Sequence, residues 1–127
     1  NCSNLASIDL SGVITSQVTD MSWMFAQCKR LTDIDVSGFD TSQVTNMSFM
    51  FRGLKTTVLD VRNFDTSQVT DMIGLFEDCS NLEKIDLSNI CTSNFTSVSY
   101  MFANCYNLKE ININNLKNRK NRCFLYV

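Results

Sequence analysis

Residues 34–51 read Ile34-Asp35-Val36-Ser37-Gly38-Phe39-Asp40-Thr41-Ser42-Gln43-Val44-Thr45-Asn46-Met47-Ser48-Phe49-Met50-Phe51. The same pattern returns on both sides. Upstream, Ile8-Asp9-Leu10 leads to Val18-Thr19-Asp20-Met21 and Met24-Phe25. Downstream, Leu59-Asp60-Val61 leads to Val69-Thr70-Asp71-Met72 and Leu75-Phe76, and Ile85-Asp86-Leu87 leads to Phe95-Thr96-Ser97-Val98 and Met101-Phe102. Ile111-Asn112-Ile113 opens one more unit. The spacing is 26 residues, shortened once to 25 where Arg52-Gly53-Leu54-Lys55 replaces Ala26-Gln27-Cys28-Lys29. A fixed period of this length is the signature of stacked repeats, because one unit cannot cover its own apolar side.

Each phase of the unit predicts a local structure. Apolar and polar residues alternate in Ile8-Asp9-Leu10, which predicts half-buried strands near 8–10, 34–36, 59–61, 85–87 and 111–113. Only Gly12, Gly38, Asn63, Asn89 and Asn115 occupy the column that follows, so a turn with positive φ is expected there. The pairs Thr15-Ser16, Thr41-Ser42, Thr66-Ser67 and Thr92-Ser93 supply hydroxyls for local turns. Val18, Met21, Met24, Phe25 and Cys28 have helical spacing, and Thr19 or Asp20 would cap that helix. The rival is an all-β coil, which would need Met21–Phe25 extended and would put Met24 and Phe25 on opposite faces. The expected fold is therefore an α/β solenoid of about four to five coils, each a short parallel strand, a turn and a short helix. Phe25, Phe51, Phe76 and Phe102 would stack as a column in its core. Residues 1–116 form this array, and 117–127 are a divergent basic and apolar end.

At this point the residues resemble a family. The segment Ile34–Phe51 carries almost the whole unit of the BspA-like leucine-rich repeats, the 26-residue-repeat surface proteins. The resemblance implies a leucine-rich-repeat solenoid and a role in adhesion or partner binding at a cell surface. It implies no catalytic residues. The departures are the deletion near Gly53, Cys91 where Asp40 and Asp65 stand, and loss of the pattern after Leu116.

Composition bounds the function classes. The 127 residues contain no His and no Pro, and 44% are apolar. Lacking His, the chain lacks the usual general base, zinc ligand and pH switch. Up to residue 116, seven Lys and Arg stand against thirteen Asp and Glu, while Lys117, Arg119, Lys120 and Arg122 make the end basic. An acidic body argues against nucleic-acid binding, which needs clustered cations. No apolar run is long enough to span a membrane as a helix, and no signal peptide is read in the opening residues. Cys2, Cys28, Cys79 and Cys105 share one phase and are expected to be reduced, buried side chains. Cys91 and Cys123 fall off that phase and are expected to be the more reactive.

Three surfaces stand out, each beside a plainer reading. Asp9, Asp35, Asp60 and Asp86 form an outward column, with Arg62 beside Asp60 and Asp86. It reads as a cation site or acidic ladder, or as carboxylates that bond local backbone. The flanking column Ser7, Asp33, Val58, Lys84, Glu110 varies in charge and size, as a specificity surface or a merely tolerant one would. Trp23, Phe49 and Tyr100 share a phase with Gly74 and read as an exposed contact stripe or as side chains tucked between neighbours.

The function expected first is a non-enzymatic protein-binding or adhesion module that presents its strand face to a protein or cell-surface ligand, without cofactor. A structural spacer in a longer surface array is the second reading. An intracellular repeat protein, suggested by the reduced cysteines, is the third. The chain starts in mid-unit, so it is expected to be a piece of a longer array whose open ends self-associate end to end. Cys123-Phe124-Leu125-Tyr126-Val127 is expected to fold back over one such end.

Overall fold

The computed structural model describes residues 2–90 and 97–113. The repeats lie side by side in parallel. Isolated parallel bridges join Asp20 to Asn46, Asn46 to Asp71, Asp71 to Ser97 and Val58 to Lys84. Two short strands, β1 (Lys84–Asp86) and β2 (Glu110–Asn112), pair in parallel with Ile85 opposite Ile111.

The expected α/β leucine-rich-repeat solenoid of four to five strand-and-helix coils is corrected by this architecture. Among the described residues there is no helix, and β1 and β2 are the only strands. The residues near 8–10, 34–36 and 59–61 form neither. The reason lies in where the backbone N–H groups go. In the segment expected to be helical, the N–H groups of Met21, Trp23, Phe25 and Gln27 donate to the carbonyls of Asn46, Ser48, Met50 and Arg52 in the next repeat, at 2.7–3.0 Å. The N–H groups between them close tight turns: Met24 to Met21, Ala26 to Trp23 and Cys28 to Phe25. The same alternation recurs from Met47 to Leu54 and from Met72 to Cys79. No donor is left for the i→i−4 bonds of a helix.

These turns require left-handed backbone. Trp23, Phe49, Gly74 and Tyr100 form one positive-φ column, and Gln27, Gly53, Asp78 and Asn104 a second. Left-handed backbone costs an L-residue about 1–2 kcal/mol. The cross-repeat hydrogen bonds at each step offset that cost.

The turns also turn inward what a helix would. Met47, Met50, Phe51, Met72 and Phe76 are fully buried. Phe25, Phe51, Phe76 and Phe102 stack with ring centroids 5.9, 5.8 and 5.3 Å apart and nearly parallel planes. Phe39 and Phe64 pack beside Phe25 and Phe51. Burying one such side chain contributes about 1.5–3 kcal/mol.

The polar columns tie neighbouring repeats together. The Thr15 hydroxyl donates to the Asp40 carbonyl and accepts from the Asp40 N–H, and Thr41 does the same with Asp65. These hydroxyls thus serve the next repeat, where local turns were expected. The Gly/Asn column also differs from expectation, since Gly12, Gly38, Asn63 and Asn89 do not have positive φ. Their turns close through ordinary i→i+3 bonds, such as Phe39 N–H to Val36 and Phe64 N–H to Val61. The Asn63 carboxamide reaches back to the carbonyls of Val36 and Phe39, and that of Asn89 to Val61 and Phe64. Asn therefore bridges repeats here. Asn115, Cys91, Cys123 and the expected 117–127 cap lie outside the described residues.

Candidate interaction surface

The aspartate column is built from turn geometry. In each unit the carboxylate accepts the backbone N–H two residues on: Asp9 from Ser11, Asp35 from Ser37, Asp60 from Arg62 and Asp86 from Ser88, at 2.9–3.0 Å. Hydrogen bonding to the charged form lowers all four carboxyl pKa values. The plainer reading of this column, local backbone bonding, matches these contacts. Among the described residues no group of three or more Asp, Glu or Cys is placed to hold a metal ion. Asp20, Asn46 and Asp71 make the same turn with Ser22, Ser48 and Ile73. The expected helix cap thus exists as a turn with no helix behind it.

Arg62 changes the column locally. It stands where other units carry Ser11, Ser37, Ser88 and Asn114, and its guanidinium grips Asp60 with two bonds, Nε to Oδ1 at 2.9 Å and Nη2 to Oδ2 at 2.7 Å. The Arg62 side chain, with its backbone N–H, holds the Asp60 carboxyl down to about 2. On the adjoining strand pair, Lys84 bridges Glu110 at 2.9 Å, and Lys109 bridges Glu83 at 3.2 Å.

Asp60, Arg62, Lys84 and Glu110 border an open groove of about 330 Å³. Val58, Leu59 and Ile85 provide its apolar part, and Arg62, Lys84, Asp60, Asp86 and Glu110 its charged rim. Val58 is 63% exposed. Of the residues singled out from sequence, the groove gathers Val58, Asp60, Arg62, Lys84, Asp86 and Glu110. Asp9, Asp33 and Asp35 are exposed and do not line it. Such a mixture of an exposed apolar patch and paired charges suits a polypeptide surface, where an enclosed, mostly apolar cavity would suit a small molecule.

The aromatic column forms a separate ledge. The Trp23 indole stacks on Phe49 with centroids 4.4 Å apart, and the Arg52 guanidinium lies 5.8 and 5.7 Å from the two ring centres. Glu77 and Asp78 hold Arg52 from the next repeat at 2.9 and 3.3 Å. Trp23 and Tyr100 are about half exposed, at 49% and 59%. The stripe is therefore broken at Gly74, over which the Phe49 ring lies. Sequence reasoning missed Arg52 as its partner. The signal was a cation at 52, where the equivalent positions carry Ala26, Glu77 and Ala103.

Of the in-phase cysteines expected to be buried, Cys28, Cys79 and Cys105 are, and Cys2 is not. The Cys79 and Cys105 thiols donate to the carbonyls of Phe51 and Phe76 in the preceding repeat, both at 3.1 Å. Burial pushes these thiols up to about 12 and about 11. Neither is a nucleophile near neutral pH. Cys28 is buried and free, and Cys2 is exposed and free.

Fold and surface together define a repeat protein of parallel, hydrogen-bonded turns with a charged groove on one side. The chain belongs to the family described as Mycoplasma protein of unknown function, DUF285, whose model matches residues 19–123. No curated protein and no solved structure matches it.

Proposed function

We propose that this chain is a non-enzymatic binding module that engages a protein ligand at a cell surface through the groove around Val58, Arg62 and Lys84. One observation carries the reading. The Asp and Thr columns, with Asn63, Asn89, Cys79 and Cys105, are consumed by turns and cross-repeat bonds, whereas Val58, Lys84 and Glu110 of the variable column line an open groove, Lys84 and Glu110 as an ion pair at its rim. Side chains that the framework does not use are those free to specify a partner. The resemblance to 26-residue-repeat surface proteins favours a place at the cell surface within a longer protein. The raised thiol pKa values and the missing His are in keeping with a role without catalysis.

The test is binding of the fluorescently labelled chain to intact eukaryotic cells by flow cytometry, beside the variant Val58→Asp/Arg62→Glu/Lys84→Glu. Saturable binding that the triple variant loses, with its melting temperature kept, supports the groove. Saturable binding unchanged in the variant overturns the groove assignment. Absence of saturable binding favours a spacer role, to which the heavy internal use of polar side chains would also lend itself.

A further inference from the structure

The cations of the repeats are unevenly used. Seven Lys and Arg precede residue 117. Arg62, Lys84 and Lys109 each bridge a carboxylate, and Arg52 bridges Glu77 and Asp78. The other three are Lys29, Arg30 and Lys55, and none of them makes an ion pair among the described residues. Lys29 and Lys55 share one phase of adjacent repeats, in the column Ser3, Lys29, Lys55, Ser80, Tyr106. Both lysines therefore lie inside the column, flanked by Ser3 on one side and Ser80 on the other. Adjacent parallel chains stand about 4.8 Å apart, so the backbone brings two like charges into neighbouring positions. Like charges at such a spacing repel, and a bound anion relieves the repulsion.

These lysines line a second open groove, of about 300 Å³. It shares no lining residue with the groove around Val58. Its lining comes in pairs from four successive repeats, from Gln27 and Lys29 to Asn104 and Tyr106. Three steps along the stack give it a length of about 14 Å. Asp78 is the one carboxylate in the lining, and it is already taken. Arg52 donates to its Oδ2 at 3.3 Å, and the Asn104 carboxamide to its Oδ1 at 2.8 Å. The Tyr106 hydroxyl donates to Asn104 Oδ1 at 2.9 Å, and Lys55 Nζ donates to Ser80 Oγ at 2.6 Å. The groove thus sets two cations without carboxylate partners among amides and hydroxyls, and no aliphatic residue lines it.

We propose that this second groove binds a sulfated polysaccharide. Lys29 and Lys55 meet its sulfate groups as compact point charges. The carboxamides of Gln27 and Asn104 and the hydroxyls of Ser80 and Tyr106 exchange hydrogen bonds with the sugar hydroxyls. A wall without aliphatic residues does not suit an apolar small molecule. A groove that crosses four repeats suits a chain of sugars better than one small anion. This inference is independent of the groove around Val58 and of its ligand.

The test is surface plasmon resonance of the whole chain on immobilised heparin at physiological salt, beside unsulfated dextran and phosphatidylglycerol vesicles. Saturable binding to heparin and none to dextran is expected. Lys29→Gln/Lys55→Gln is expected to raise the Kd about tenfold with the melting temperature kept. Lys117→Gln/Lys120→Gln removes the same charge from the basic end and is expected to bind heparin as the wild type does. Should Lys55→Gln cost stability, Lys29→Gln alone, at an exposed side chain, is expected to raise the Kd about threefold. Absence of heparin binding, equal binding to dextran, or an unchanged Kd in the groove variants overturns the proposal. So does a loss as large in the end variant as in the groove variant, or tighter binding to the vesicles than to heparin.

Discussion

The ring of Phe49 lies across Gly74, so that a Cβ placed on Gly74 would stand 2.4 Å from the ring edge. Gly74 also has positive φ, at 57°. Gly74→Ala therefore meets both a backbone and a packing penalty, expected to sum to about 1–3 kcal/mol. Phe49→Ala removes the packing part alone. Urea denaturation of the two single variants and the double variant is expected to show a coupling between them that a purely backbone effect would lack.

The buried Thr41 hydroxyl both donates to and accepts from the backbone of Asp65 in the next repeat. Thr41→Val keeps the shape but leaves the Asp65 N–H and carbonyl unpaired. Its expected cost is about 1–3 kcal/mol, against a smaller loss for Thr41→Ser, which keeps the hydroxyl. Chemical denaturation midpoints check the difference.

Acid should weaken the stack in a defined window. The Asp60 carboxyl lies at about 2 in the folded chain, against an ordinary value of 3.8. A lowered folded pKa contributes stability that is complete above the ordinary value and is lost as pH falls from there toward about 2. Asp9, Asp35 and Asp86 are shifted in the same direction and add to the same trend. Arg62→Gln removes the guanidinium and should shift the Asp60 part of the loss to higher pH. Melting temperature measured from neutral pH down to about 2 is the readout.

Thiol accessibility should divide the in-phase cysteines. Cys2 is exposed, whereas Cys28, Cys79 and Cys105 are buried. Iodoacetamide at neutral pH should label Cys2 of the folded chain and label the other three only after denaturation. Site-resolved mass spectrometry checks this, and rapid native labelling of Cys79 would contradict its burial.

The absence of helix has its own spectroscopic consequence. Far-ultraviolet circular dichroism should lack the paired minima of α-helix, despite the amphipathic spacing of Val18, Met21, Met24, Phe25 and Cys28. A strong helical spectrum would contradict the alternating cross-repeat donors.

That spacing explains what was legible in the sequence. The register and the Phe25–Phe51–Phe76–Phe102 column were readable because they depend only on which side chains recur. The helix was misread because successive three-residue turns turn Met21, Phe25 and Cys28 inward at nearly the helical interval. The distinguishing mark was present at Gly53 and Gly74, each of which sits in one positive-φ column beside larger residues. Asp78 and Asn104 in the second column also tolerate left-handed backbone. The groove was half legible: Asp60, Arg62, Lys84 and Asp86 were found by outward alternation. That Glu110 pairs with Lys84 and closes the rim follows from the parallel register of β1 and β2, which no single unit encodes.

The N–H groups of 21, 23, 25 and 27, and their equivalents in later repeats, all point the same way along the stack. Peptide dipoles aligned head to tail add rather than cancel, as they do in a helix. This tier therefore carries an axial electric moment, negative toward residues 20–26 and positive toward residue 104. The N–H groups of Thr45, Thr70, Glu83 and Lys109 donate back to the preceding repeat and set a second tier against it, so the field of the stack differs from one face to the other.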